Sequence, residues 1–356
     1  MGFDGLVVSD WGAVHDRVAA LAAGLDLEMP PNLGVSDAAI VTAVGSGRLD
    51  ERVLDTAVAR VLQLVDRATA NPKPPPVVDA DAHHALARSA AAECAVLLKN
   101  QDRLLPLRPA AGETRRWPPR PSPLARRAGV VVAFLGLPAA AESEGFDRTH
   151  MDLPANQTAL LARLAGANPN LAVVLANGSA VRLSDWDRHA GAVLECWLSG
   201  QAAGGAAADL LLVANPSGRL AETLPLRLED TPSYLNFPGE AGQVRYGEGV
   251  FVGYRGYDQL DRRVSYPFGH GLSYTSFGYA DLEAAVSGRQ QDGDLRVEVA
   301  CRVTNTGERR GKGGRPAVRR RPPGLGGPPG PRAQGLRQGR PRPRPDHRGR
   351  VRPHRP

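Results

Sequence analysis

The sequence predicts an α/β fold of two ordinary domains closed by a β-rich segment. Three observations carry this. The chain has 356 residues, 42% of them hydrophobic, enough to bury two cores. In two stretches, short apolar runs alternate with helix-period runs, the grammar of α/β units. From Tyr274 the pattern changes to two-residue alternation, as in Leu295-Val297-Val299 and Cys301-Val303, which is the grammar of a β-sandwich.

In the first stretch, Leu6 to Val8 reads as a buried strand that presents Ser9 and Asp10 at its C-terminal end. Val14 to Ala23 predicts a helix closed by Gly24. Leu25 to Met29 predicts a strand ending in a Pro30-Pro31 turn. Ser36 to Gly45 predicts a helix, with Ser36 as N-cap and Asp37 in the first turn. Asp50 to Arg67 predicts a longer amphipathic helix, with Val53, Leu54, Val58, Val61, Leu62 and Val65 on one stripe. Residues 70–82, rich in Pro, Ala and Asp, read as a linker.

The second stretch opens with a helix, His83 to Leu98, running into Lys99-Asn100. Strands are predicted at Gly129 to Leu137, Leu171 to Ala176 and Val193 to Trp197. Helices are predicted at Asn156 to Ala165 and Gly204 to Val213. Alternation of this kind implies a mostly parallel sheet. Residues 83–226 form this domain, 227–273 an irregular connection and 274–312 part of a β-sandwich.

Net charge is +7, which taken alone points to a nucleic-acid partner. Its distribution does not. Residues 313–356 hold 13 Arg and one acid, Asp346, so the tail carries +12 and the remainder −5. Arg, Pro and Gly dominate this tail, no hydrophobic period survives, and disorder is expected. It also lacks any aromatic residue on which bases would stack, so no specific nucleic-acid partner is expected.

Cys94, Cys196 and Cys301 are sparse and lie in apolar runs, so buried free thiols are expected rather than disulfides or a zinc site. No apolar run approaches the ~18 residues a membrane span needs, and no membrane partner is expected. The opening residues MGFDGLVVSDW show no leader-like pattern. Compartment and oligomeric state are left open.

Glycosidic bond cleavage needs two carboxyl groups, one at the anomeric carbon and one at the leaving oxygen. Asp10 suits the first role, because a strand end is where barrel folds expose catalytic groups. Trp11 beside it would offer a flat apolar face to a sugar. The alternative for Asp10 is a helix cap. The segment Glu142-Ser143-Glu144-Gly145-Phe146-Asp147-Arg148 follows a predicted strand and offers the second carboxyl. Asp147 and Arg148 would pair to fix this loop. The alternative is a solvated acidic loop. His270 reads as a packed loop histidine.

Seven segments occur in order: GFDGLVVSDW, AGLDLEMP, AECAVLLKNQDRLLPL, ESEGFDR, NPSGRLAETLPL, YGEGVFVGYRGYD and YPFGHGLSYTSF. Together they resemble glycoside hydrolase family 3, β-glucosidase-like, over residues 2–312. The resemblance implies that Asp10 is the nucleophile. It implies that Glu144 is the acid/base, with Glu142 the less favoured choice. It implies a C-terminal remnant of a TIM-like barrel in residues 1–69, an α/β sandwich domain, and a partial fibronectin III-like β-sandwich. It implies a β-glucoside or oligosaccharide substrate, no metal and no organic cofactor.

The chain departs from this family in three places. Nine residues precede Asp10 where the family has most of its barrel, so a truncated, impaired copy is expected. A non-catalytic fragment with weak sugar binding, or a β-xylosidase, is the alternative. The stretch between Leu107 and Gly129 is short for the family. Lastly, GGRPAVRRRP from Gly313, written in GC-rich codons and shifted by one base, reads EVVQLYVADP. Arg332 to Pro343 likewise reads ELKAFAKVALAP. Both look like missing sandwich strands, so the tail is expected to be out-of-frame translation beginning near Lys312.

Overall fold

The computed structural model describes residues 3–70, 77–108, 121–145, 147–288 and 296–312, with backbone stretches at 317–318, 333–334 and 347–351. It divides into two compact units, Met1–Asp79 and Ala80–Pro356.

The first unit holds three helices, α1 (Arg17–Ala22), α2 (Val35–Gly45) and α3 (Glu51–Ala70). Their small core comprises Leu21, Ile40, Ala43, Leu49 and Ala57. Helix α1 starts three residues later than its periodicity suggests. Asp16 is its N-cap and accepts from the Ala19 amide at 3.0 Å, which fixes the first turn. Helix α2 is entered through Gly34 at φ +87°, a conformation glycine adopts without strain. Ser36 is therefore not the cap. Its hydroxyl donates to Glu28 Oε2 at 2.6 Å instead. On α3, Val53 and Leu54 pack on the core, while Val58, Leu62 and Val65 are exposed.

The two strands expected here shrink to one parallel bridge, Val8 to Leu27. Hydrogen bonds extend it. The Ser9 amide donates to Leu27 O at 2.9 Å and the Gly12 amide to Met29 O at 3.0 Å. Asp26 anchors the pair from inside. Its carboxylate is buried, accepts the Val7 amide at 2.8 Å, and meets Arg60 of α3 at 3.0 Å. A buried carboxylate needs such partners, because desolvating it alone costs several kcal/mol.

The second unit opens with α4 (Ala80–Cys94) and β1 (Val96–Asn100). It continues with α5 (Pro121–Arg127), β2 (Val131–Gly136), α6 (Ala155–Ala167), β3 (Leu171–Ala176), β4 (Ala192–Glu195) and α7 (Ala203–Leu212). The sheet order is β1-β4-β3-β2. β2, β3 and β4 are parallel, and β1 joins β4 antiparallel. Leu97 and Leu98, read from sequence as helix, are thus strand residues with opposite faces. Leu98 joins the core of β2, α5 and α6, and Leu97 joins the core of α7. The same alternation sends Val173 and Leu175 one way and Ala172 and Val174 the other. The result is an α/β/α sandwich, the α/β fold predicted.

Beyond α7 come the two-residue strand β5 (Leu224–Pro225), helix α8 (Tyr254–Gln259) and β6 (Val264–Tyr266), which pairs with β5. The segment after β6 closes the outer edge of β1. The Leu272 amide donates to Leu97 O at 2.8 Å, and His270 Nε2 lies 2.8 Å from Leu98 O. His270 is the packed loop histidine expected. The hydroxyl of Tyr274 donates to Leu210 O at 2.8 Å, tying the segment to α7 as well.

A long antiparallel pair follows, β7 (Phe277–Ser287) with β8 (Arg296–Asn305). The expectation of a disordered, out-of-frame tail falls mostly outside the described residues. Within it, β9 (Ala317–Val318) pairs with β10 (Ala333–Gln334), and β11 (His347–Val351) lies against β8. All three cysteines are free, as expected. Cys196 is buried as expected, but Cys94, the last residue of α4, is exposed and Cys301 is only partly buried. Among the described residues, no helix is long and apolar enough to cross a membrane, and no cluster of ligating side chains suits a metal.

Candidate active site

The two candidate carboxyls lie in different units, and each is built locally. Asp10 follows the Val8–Leu27 bridge. Its neighbour Ser9 grips Met29, accepting from the amide at 2.8 Å and donating to the carbonyl at 3.3 Å. Asp10 itself is exposed, and its Oδ1 accepts the Trp11 amide at 2.8 Å. It does not cap α1, since Asp16 does. Trp11 is 71% exposed, an indole face open to solvent. Both predicted residues thus sit on a backbone pinned by Asp26 and Ser9.

Glu142 and Glu144 lie on the loop that leaves β2. The loop's start is fixed by Gln157 of α6, whose amide accepts from the Gly136 N–H at 3.0 Å and donates to its carbonyl at 2.8 Å. A side chain at Gly136 would meet Ala176 O of β3 at 2.1 Å, so only glycine brings the two strand ends this close. The loop's far end is held by Arg182, which donates its amide to Met151 O and pairs with Asp152 at 2.6 Å.

The two glutamates differ sharply. Glu142 is half-buried, and one oxygen accepts from the Gly178 amide at 2.8 Å, the Ser179 amide at 3.1 Å and the Ser179 hydroxyl at 3.1 Å. Glu144 is exposed, at the turn formed with Gly145, which takes φ +93°. Arg148 does not pair with Asp147 as expected. Its guanidinium donates to Ser179 Oγ and Ala180 O, both at 2.8 Å. Competition for Arg148 was won by the turn 177–180, which offers two acceptors in fixed positions.

One carboxyl escaped the sequence reading. Glu195 ends β4 and is 1% exposed. The available signal was an acid inside the apolar run AVLECW. Its two oxygens accept the Trp197 amide at 2.9 Å and the Asn177 side-chain amide at 3.2 Å. Burial pushes its pKa up to about 7, opposed by those two donors and reinforced by Glu222 and Glu142. Glu222 is also raised by burial, offset by the charge of Arg148. In the unfolded chain Glu195 titrates near 4.5, so folding favours its protonated form. Its stabilising contribution is full below about pH 4.5 and is lost as pH rises towards about 7. The linkage amounts to ~3 kcal/mol. Urea denaturation of Glu195→Gln is expected to lack this decline, and an unchanged pH slope would contradict the assignment.

Comparison with known proteins gives the class. The glycosyl hydrolase family 3 C-terminal domain matches residues 119–274. Thermostable β-glucosidase B of Acetivibrio thermocellus is 43% identical over 87% of this chain and 48% of that protein. The exo-α-(1→6)-L-arabinopyranosidase of Bifidobacterium longum is 40% identical over 86% of this chain and 48% of its own length. Among solved structures, the Bifidobacterium adolescentis family 3 β-glucosidase superposes with a TM-score of 0.86 at 37% identity, over 99% of this chain and 59% of that one. β-Glucosidase 3B of Thermotoga neapolitana in complex with glucose gives 0.83 at 27% identity, over 98% and 61%. The relatives it matches are glycoside hydrolases, and this chain shares their descent.

The chain belongs to glycoside hydrolase family 3. It spans about half the length of the curated relatives it matches.

Proposed function

We propose that this chain serves the hydrolysis of terminal non-reducing β-D-glucosyl residues by a retaining, two-carboxylate mechanism. Asp10 attacks the anomeric carbon while the glycosidic C–O bond breaks and Glu144 passes its proton to the leaving oxygen. Glu144, now a carboxylate, then takes a proton from water as that water attacks the anomeric carbon and frees Asp10. Trp11 offers its indole face to the sugar ring. The observation that carries the choice of acid is the contrast in the loop. Glu142 has its oxygens committed to the Gly178 and Ser179 N–H groups and the Ser179 hydroxyl. Glu144 is exposed, open to solvent and substrate.

In this reading residues 1–69 are the C-terminal remnant of a TIM-like barrel, 83–226 the α/β sandwich domain, and 274–312 a partial fibronectin III-like sandwich. The near-equal identity to an arabinopyranosidase favours a second substrate, an α-L-arabinopyranoside. A β-xylosidase, or a fragment that only binds sugar weakly, are the other outcomes.

The 356 residues alone are expected to hydrolyse p-nitrophenyl β-D-glucoside at background, since they span half the relatives' length. A hybrid in which they replace the matching half of the Acetivibrio thermocellus enzyme is expected to turn it over well above background. The same hybrid tested on the α-L-arabinopyranoside and β-D-xyloside ranks the substrates. An inactive but folded hybrid would overturn the reading, and robust turnover by the chain alone would overturn the impairment.

A further inference from the structure

We propose that Glu195 is a positioning residue for the acid/base loop, acting with Asn177 to fix the turn on which Glu142 and Arg148 seat that loop. The inference rests on the reading that this loop carries the acid, Glu144.

The turn 177–180 leaves the C-terminal end of β3 and receives the loop at two points. Glu142 binds its Gly178 and Ser179 amides, and Arg148 binds Ser179 Oγ and Ala180 O. Glu144 lies between these two anchors in the chain. Wherever the turn goes, both anchors must follow. The turn in turn hangs on Asn177, which is fully buried. One amide nitrogen of Asn177 donates across the turn to Ser179 O at 3.0 Å and into the protein to Glu195 Oε2 at 3.2 Å. Gly178 leaves room for this stack, because a side chain there would meet Leu198 at 2.8 Å and Glu142 Oε1 at 3.3 Å.

Glu195 holds a second turn with its other oxygen. Trp197 takes φ +56°, a left-handed conformation that strains a bulky residue. Its amide is held by Glu195 Oε1. A leucine would fill this strand position without desolvating a carboxyl. The acid is explained by its two acceptor oxygens, each taking one N–H from a different turn.

Glutamine cannot replace it fully. It keeps one acceptor oxygen but presents an NH2 to the other donor. Protonation of Glu195 weakens one acceptor in the same way. The charged groups that bear on it are Glu222, from the segment before β5, and Glu142 from the loop; the Cys196 thiol, just past the end of β4, is held neutral by burial. Arg148 is the cation of the cluster and acts on Glu222. No ammonium or guanidinium pairs with Glu195 itself among the described contacts, so its charge near neutral pH depends on the two N–H donors.

Hydrogen exchange on the full chain tests this without requiring turnover. At about pH 8, Glu195→Gln is expected to speed exchange of the Gly178 and Ser179 amides about tenfold, the change one lost hydrogen bond gives. Peptides from β3 and α6 should keep their rates. In the unaltered chain, protection of those amides, corrected for intrinsic chemistry, should fall as pH drops through about 7, and this step should vanish in Glu195→Gln. Equal rates and equal pH profiles in the two proteins would overturn the proposal. Should Glu195→Gln fail to fold, Glu142→Gln in the loop itself decides. Loop protection unchanged in that variant removes the latch. Because exchange reports order rather than chemistry, a loosened loop with an inert Glu144 would retain the positioning role and refute only the acid assignment.

Discussion

Asp10→Asn in the hybrid enzyme is expected to abolish hydrolysis of p-nitrophenyl β-D-glucoside, with a loss of kcat on the order of 10⁴-fold or more. An amide neither attacks the anomeric carbon nor leaves from it. The neighbouring acids of that unit are committed. Asp16 caps α1, Asp26 is buried against Arg60, and Glu28 accepts from Ser36. The backbone at Asp10 is set by Ser9 and Met29 rather than by the Asp10 carboxylate, so the variant should fold. A 2-fluoro-glucoside should label the unaltered hybrid on the peptide containing Asp10 and leave the variant unlabelled. Activity within tenfold of the parent would refute the assignment.

Glu144→Gln is expected to lower kcat by about 10²–10⁴-fold for an alkyl β-glucoside, whose leaving oxygen needs a proton. With p-nitrophenyl the first step should be much less affected, because p-nitrophenolate leaves without protonation. Deglycosylation then becomes limiting, and added azide should rescue it by attacking without a general base. Glu142→Gln should behave differently. Its effect should fall on both substrates alike and resist azide, because Glu142 binds the turn 177–180 and not the leaving group. A leaving-group-dependent effect at Glu142 and none at Glu144 would exchange their roles.

Much of the fold was legible. β3 was read to the residue, and β2, β4, α6 and α7 within a few residues, since each is an apolar run bounded by turn residues. β1 was missed for a physical reason. The run AAECAVLLKN passes from helix to strand with no Gly or Pro between Cys94 and Val96, so nothing in the local chemistry marks the break. The start of α2 was misread because Gly34, not Ser36, supplies the left-handed entry. The candidacy of Asp10, Trp11 and Glu144 was legible, because it rests on motifs. The setting of Glu142, Asn177 and Glu195 was not, because it arises from strand ends brought together by a parallel sheet. Arg148 was expected beside Asp147 because they are adjacent in sequence, yet Ser179 and Ala180, over 30 residues away, hold it.

The closure of β1 by the segment through Tyr274 has a consequence for how the domain could be dissected. An unpaired strand edge invites a second chain to add on to it. Here Leu272 occupies that edge, and Tyr274 fastens the cover to α7. A cut placed after residue 226, where the α/β alternation stops, would strip the cover and leave a sticky border. A cut just beyond Tyr274 would keep it. The piece that keeps this edge covered is therefore defined by an edge guard, not by the last helix of the sandwich.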